Sequence, residues 1–337
     1  MQLQIHPLRL PLKKPFTITH GTFHYREAIV VELMEDGLSG FGEATVITYY
    51  GKSLAQFLSI LKEHRPFIEC QTIQDDPTQL WQTLYPIFKN HPFVLCALDV
   101  AAHDLWAKKL GLPLYEAWQL SPKNVPLTNF TISIGTIDNM LAQMAEFPNP
   151  IYKIKLGTKE DVAIIKALRQ QSDAIFRVDA NGAWGVAETL RNAVELKKLG
   201  VEFIEQPLPK EDWTGAKILF QQSVLPIIAD ESCQVEADIQ RCYQHFHGVN
   251  IKLMKCGGFT PALRMIQQAK TLDMQVMVGC MTESSIGISA IAHLLPLLDY
   301  VDMDGALLLE ADPAIGVKVQ AGKVNYSGNF GIGAALK

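Results

Sequence analysis

The sequence predicts an α/β protein whose larger part is a parallel barrel and whose smaller part is an α+β domain. Two observations carry this. After Pro122 and Pro126, short apolar strands alternate with helical stretches through eight strand candidates, the pattern of a parallel (β/α) barrel. Before them, about 50 residues rich in strand signals lead into helical periodicity, which is an α+β order. A length of 337 residues fits two domains at roughly 150 residues each.

In the first domain, residues 1–122, Ala28 to Leu33 is a β-branched run. Glu35-Asp36-Gly37 is a turn signal before the strand Ser39-Gly-Phe-Gly-Glu43. Leu54 to Glu63, Pro77 to Phe88 and Phe93 to Leu110 show helical periodicity. Gly111-Leu-Pro113 stops the last helix. The barrel, residues 123–304, has strand candidates at Leu127–Ile134, Tyr152–Leu156, Ala174–Val178, Phe203–Glu205, Ile227–Asp230, Gly248–Leu253, Gln275–Val278 and Tyr300–Met303. The tail, residues 305–337, is Gly-rich and is expected to fold back over the first domain.

Composition narrows the function. A hydrophobic fraction of 48% with 19% charged residues is ordinary globular chemistry. A net charge of −5 offers no basic patch for nucleic acid and no polybasic membrane anchor. MQLQIHPLRLPLKK has no apolar stretch after a basic start, so no signal peptide is expected, and no run is long enough to span a membrane. Six cysteines (Cys70, Cys96, Cys233, Cys242, Cys256, Cys280) are scattered without CxxC or zinc-like spacing. They read as reduced thiols in cytoplasm. No Gly-rich phosphate loop follows a strand. A small molecule is the expected partner, and the sequence leaves open whether the chain forms a homo-oligomer.

The polar residue at or just after each strand end is informative. Thr131, Lys153 with Lys155, Asp179, Glu205, Asp230, Lys252, Cys280 and Asp302 follow one another in steps of 22 to 28 residues, taking Lys155 for the second strand. That step is one strand, one helix and two loops. Residues kept at that period in a parallel barrel converge on one rim, and the C-terminal rim is where barrel chemistry sits. Asp179, Glu205 and Asp230 then face one another from consecutive strands. Three such anions repel, a divalent cation relieves the repulsion, and all-oxygen ligation favours Mg²⁺. Lys153 and Lys155, two apart on a strand, share a face, and Lys252 comes four strands later, across the barrel. One neutral amine could take a proton from a substrate carbon while the opposite ammonium delivers one. A lysine base at neutral pH needs its pKa lowered, which Mg²⁺ and Lys153 beside Lys155 are expected to do.

These residues resemble a known family. Lys153-Ile-Lys155, Asp179-Ala-Asn181, Glu205-Gln-Pro207, Asp230-Glu-Ser232 and Lys252-Leu-Met-Lys255-Cys-Gly-Gly258 are similar to motifs of the enolase superfamily, muconate-lactonising subgroup, across nearly the whole chain. Enolase-superfamily sites pair a Lys or His base with Mg²⁺ that stabilises an ene-diolate. The resemblance implies a modified TIM barrel, (β/α)₇β, under an α+β capping domain built from both ends of the chain. It also implies Mg²⁺ on Asp179, Glu205 and Asp230, Lys155 and Lys252 as the acid/base pair, and Lys153 holding the substrate carboxylate.

Asp302-Met-Asp304 resembles the motif with which dipeptide epimerases receive the substrate's α-ammonium. Thr131 and Cys280-Met281-Thr282 would supply further substrate contacts. Family members that epimerise Ala-Glu present an Arg in the loop around Thr17–Phe23. Here Gly21 holds that position, Arg26 lies later in a strand, and His20 is the residue able to meet an anion. The second loop, Thr45–Gly51, offers Ile47, Tyr49 and Tyr50. The expected substrate is therefore an Ala-Xaa dipeptide with a small neutral or hydrophobic second residue, inverted at its Cα. The rival readings are N-acylamino acid racemisation, o-succinylbenzoate synthesis or muconate lactonisation, whose substrates give Asp302 and Asp304 no ammonium partner. Another is a non-catalytic barrel that binds a metal or peptide.

Overall fold

The computed structural model describes residues 1–337 apart from His20 and Gln74. The first domain opens with three antiparallel strands, β1 (Gln2–Ile18), β2 (Gly21–Glu35) and β3 (Leu38–Thr45). Asp36 and Gly37 connect β2 to β3 with φ of 55° and 78°. Both central residues of a two-residue hairpin turn need positive φ, which is why Asp-Gly serves here. Three helices follow: α1 (Leu54–Glu69), α2 (Pro77–Phe88) and α3 (Pro92–Leu110). The first runs six residues beyond the stretch its periodicity marked, despite Pro66 within it.

Helix α3 is buried on nearly every face, because it lies between the sheet and the barrel. On the sheet side, β3 approaches so closely that a Cβ at Gly42 would sit 2.0 Å from the Ala97 carbonyl oxygen. On the barrel side, Asp99 accepts hydrogen bonds from the Thr260 amide at 2.9 Å and hydroxyl at 2.7 Å. Such a helix carries no amphipathic stripe. It ends where Gly111 adopts φ of 67° before Pro113.

The eight barrel strands are β4 (Phe130–Ile132), β5 (Ile151–Lys155), β6 (Ile175–Asp179), β7 (Val201–Glu205), β8 (Ile227–Ala229), β9 (Gly248–Ile251), β10 (Gln275–Gly279) and β11 (Tyr300–Asp302). They pair in parallel in sequence order, and a bridge between Thr128 and Val301 joins the last strand to the first. Strand one is shorter than the run Leu127–Ile134 suggested. Side chains reinforce this closure: the Asn129 amide donates to Asp302, and the Met303 amide donates to Thr128 Oγ1. The lower barrel is plugged by Phe203, Ile228 and Met277, with Tyr300 packed against them. Alternation along each strand then sends the next inward residue up to the opposite rim.

The tail returns to the first domain. Leu309 bridges Leu12, Gly331 bridges Pro113, and the Ile332 amide donates to Asp104. The cap is thus built from both chain ends and sits over the barrel's C-terminal rim. Among the described residues, no helix is long and apolar enough to cross a membrane.

Candidate active site

Strand alternation delivers the expected residues to one place. Lys153 and Lys155 rise from β5, Asp179 from β6, Glu205 from β7, Asp230 directly after β8, and Lys252 directly after β9. One ligand oxygen from each of Asp179, Glu205 and Asp230 lies within 4.8 Å of the others, and all three residues are buried. Lys155 and Lys252 stand four strands apart in a ring of eight, on either side of this cluster.

Each carboxylate is held by a neighbouring ammonium. Lys155 donates to Asp179 at 2.6 Å. Lys252 donates to one oxygen of Asp230 at 2.6 Å, and Lys255 donates to the other at 2.7 Å. Lys153 sits among three acids, 3.2 Å from Asp179, 2.8 Å from Glu205 and 2.9 Å from Asp302. Lys153 is therefore not a bare cation pressing on Lys155; its charge is already compensated. Burial opposes the Lys252 charge, but Asp230 outweighs it and holds the ammonium above its ordinary pKa. That is the reverse of the lowering expected for a lysine base. Burial likewise opposes ionisation of Asp230, yet Lys252 and Lys255 keep its pKa well below the usual carboxylate range.

The remaining acids lack that much help. Burial, with Asp179 and Asp230 nearby, pushes Glu205 up to about 7 although Lys153 pulls the other way. Glu231 rises to about 7 from burial and Asp230, and its Oε2 has no hydrogen-bond partner. Glu205 Oε2 likewise accepts no hydrogen bond of good geometry. Asp304 rises to about 7 from burial and the facing Asp302. Four lysines (Lys153, Lys155, Lys252, Lys255) thus stand among six acids (Asp179, Glu205, Asp230, Glu231, Asp302, Asp304). A formal deficit of two positive charges, with all-oxygen donors and under-partnered carboxylate atoms, fits a divalent hard cation.

Above this floor lies a cavity open to solvent. Thr131, Lys153, Lys155, Asp230, Lys252, Cys280, Met281, Thr282, Asp302 and Asp304 all line it. Asp179 and Glu205 lie just beneath, fully buried. Asp302 accepts from Asn129 and Lys153, and Asp304 accepts from the Thr131 amide at 2.5 Å. The second loop contributes Ile47, Tyr49 and Tyr50 to the wall. The first loop docks on the rim, where Thr17 O accepts from the Ile134 amide. Gly21 is exposed, and His20 lies outside the described residues.

Several residues that shape the site carried no assigned role in the sequence. Asn250, on β9, donates to Glu205 Oε1 at 2.8 Å. Its spacing of two from Lys252 puts both on one face, which was a usable signal. Strand β10 leaves room for it only because residue 279 is glycine; a Cβ there would lie 2.7 Å from Asn250 Oδ1. Gln206, at φ of 35°, accepts from the amides of Asp230 and Ser232 and so ties the end of β7 to that of β8. Arg26 lines the cavity from β2; its position beyond the loop gave no sign of this.

A capped parallel barrel with carboxylates in its floor and opposed lysines at its C-terminal rim defines a class of enzyme-like sites built around a cation and a carbon acid. The comparisons make this particular. Residues 139–337 match the family described as "Enolase C-terminal domain-like", and residues 2–117 match "Mandelate racemase / muconate lactonizing enzyme, N-terminal domain". The chain belongs to this family, the enolase superfamily. It is 53% identical, over the full length of both chains, to the L-Ala-D/L-amino acid epimerase of Flavobacterium johnsoniae. A substrate-liganded L-Ala-D/L-Glu epimerase from Bacillus subtilis superposes with a TM-score of 0.94 at 27% identity, covering 100% of this chain and 99% of that one. The dipeptide epimerase of Enterococcus faecalis, complexed with Mg and L-Leu-L-Tyr, superposes with a TM-score of 0.91 at 30% identity, covering 99% of both chains.

Proposed function

We propose that this protein is a Mg²⁺-dependent dipeptide epimerase that inverts the Cα of the second residue of Ala-Xaa dipeptides with a neutral, small or hydrophobic second side chain. The observation that carries this reading is the pair of lysines, Lys155 and Lys252, facing one cavity from opposite sides of a three-carboxylate cluster. The full-length likeness to dipeptide epimerases supports the choice of substrate class.

Asp179, Glu205 and Asp230 would hold the ion. When bound, Mg²⁺ supplies positive charge facing the substrate carboxylate, which stabilises the enolate and favours the neutral amine of a flanking lysine. Lys153 holds the same carboxylate from the floor. Asp302 and Asp304 receive the α-ammonium; Asp304, pushed up to about 7 beside Asp302, gains most from a cation there. These two anchors fix the second Cα between the lysines. One lysine, as the neutral amine, takes the α-proton, and the opposite ammonium returns a proton to the other face. The apolar wall of Ile47 and Met281 accommodates a neutral side chain. A reducing, cytoplasmic setting belongs to this reading, since all six cysteines are free and Cys280 faces the cavity.

The test is incubation of Ala-Xaa dipeptides with Mg²⁺ in D₂O. Deuterium should enter the second Cα as the diastereomer forms. Absence of both exchange and inversion across an Ala-Xaa panel would sink the proposal.

A further inference from the structure

The two lysines are held by different parts of the molecule. Lys155 is the last residue of β5 and pairs with Asp179 of β6. The Leu156 amide continues the ladder, donating to the Asp179 carbonyl at 2.9 Å. Strand pairing thus fixes the backbone up to Lys155 and just beyond it. Lys252 has no such support. Strand β9 ends at Ile251, whose partner on β10 is Val278. Lys252 lies past that last pair and caps the one-turn helix Leu253–Cys256. One turn of helix has little stability of its own, so its place is set by what it packs on.

What it packs on is the first domain. Met254 is buried, and its Sδ accepts a hydrogen bond from the Thr45 amide at 3.3 Å. Trp81, on α2, donates from its indole nitrogen to the Gly257 carbonyl at 2.9 Å. Gly258 follows at φ of 116°, so close to α3 that a Cβ there would lie 2.4 Å from Asp99 Oδ2. The end of β3, α2 and α3 therefore all touch the stretch from Lys252 to Gly258. Beside Lys155, the exposed Thr19 hydroxyl donates to the Leu156 carbonyl at 3.3 Å, but there the strand is already fixed by its neighbours.

We propose that the cap positions Lys252 whereas strand pairing positions Lys155, with Trp81 and Met254 as positioning residues for one of the two proton-transfer faces. The inference rests on the two-lysine reading. Proton transfer depends on placement, and a shift of about 1 Å in a reacting group can cost about a hundredfold. Loosening the contact between the cap and this turn therefore slows transfer at the Lys252 face and spares the Lys155 face. A general loss of order in the site would slow both alike.

The experiment measures initial rates of α-proton loss in D₂O, at saturating Mg²⁺ and dipeptide, from the L,L and L,D forms of one Ala-Xaa dipeptide. Wild type, Trp81→Phe, Met254→Leu and the double variant are compared. Lys252→Ala identifies the form whose proton Lys252 takes. Trp81→Phe keeps an aromatic ring and removes the donor. Met254→Leu nearly keeps the volume and leaves the buried Thr45 amide unpaired. In the double variant, proton loss from the Lys252 form should fall at least about tenfold, while loss from the other form stays within about twofold. Each single variant should move the same ratio in the same direction. Equal slowing of both forms, slowing of neither, or selective slowing of the Lys155 form overturns the proposal. Should the double variant not fold, the single variants decide by the same ratio. No proton loss from either form in the wild type fails the epimerase reading; wild-type activity with a ratio the variants leave unmoved fails this inference alone.

Discussion

Replacing Asn250 should weaken Mg²⁺ binding although Asn250 itself is not a ligand. Its amide donates to Glu205 Oε1 at 2.8 Å from a fully buried position on β9. Lys153 also reaches Glu205, so the carboxylate would keep one partner in Asn250→Ala. The lost bond is one to a charged group, worth about 1.5–3 kcal/mol when a partner is removed. At about 1.4 kcal/mol per tenfold, that corresponds to roughly a ten- to hundredfold rise in Kd, the range seen when groups orienting metal ligands are removed. Calorimetric titration of metal-free protein with MgCl₂ measures it directly. Gly279→Ala is an independent route to the same effect, because its Cβ would press on the Asn250 amide group from 2.7 Å. A folded Asn250→Ala protein that binds Mg²⁺ within threefold of wild type would refute the claim that Glu205 is a ligand oriented from β9.

Two further predictions follow from the surroundings of the site. If Asp302 and Asp304 receive an α-ammonium, N-acetylation of an Ala-Xaa substrate should cut kcat/KM at least about a hundredfold, because it removes the cation these buried carboxyls gain beyond the Lys153 contact to Asp302; equal turnover of free and acetylated dipeptides would contradict the assignment. Glu283 and Glu43 face each other beneath the rim. Burial and their mutual repulsion push Glu283 up to about 8, and burial pushes Glu43 up to about 7. Both therefore hold protons in the folded state at pH values where unfolded carboxyls, near 4.3, have lost them. The stabilisation is complete below about pH 4 and is lost as pH rises towards 8, by at most about 1.4 kcal/mol per unit for each group. The melting temperature of wild type should thus fall more steeply between pH 5 and 8 than that of Glu283→Gln, and parallel curves would contradict it.

The barrel was legible because a physical repeat underlies it. Each strand must be followed by a helix and two short loops, so residues at the strand ends recur at a nearly constant step. Asp179, Glu205, Asp230 and Lys252 could be placed on one rim from that alone. Strand limits were less legible. Leu127–Ile134 reads as one apolar strand, yet Phe130–Ile132 is what pairs with β5, since Thr128 and Asn129 are drawn to β11 through Val301 and Asp302. The run Gly248–Leu253 reads as strand throughout, yet Lys252 caps the short helix Leu253–Cys256, and this brings Lys255 back onto Asp230. The cap was least legible. The place of Arg26 on the cavity wall depends on how the hairpin sits over the barrel, and the all-round burial of α3 depends on what lies on both its sides. No local period encodes either one. The compensation of Lys153 is also hidden, because its contact with Asp302, from the far end of the chain, is a property of the closed barrel.

The central claim is that two amines work on opposite faces of one carbon, and single-lysine variants test it most directly. Lys155→Ala and Lys252→Ala would each be incubated in D₂O with Mg²⁺ and, separately, with the L,L and L,D forms of one Ala-Xaa dipeptide. The account predicts no inversion by either variant. Each should still exchange the α-proton of one diastereomer, with opposite preferences, because the remaining lysine reaches only its own face. Inversion at near wild-type rate by either variant, or the same preference in both, would contradict it.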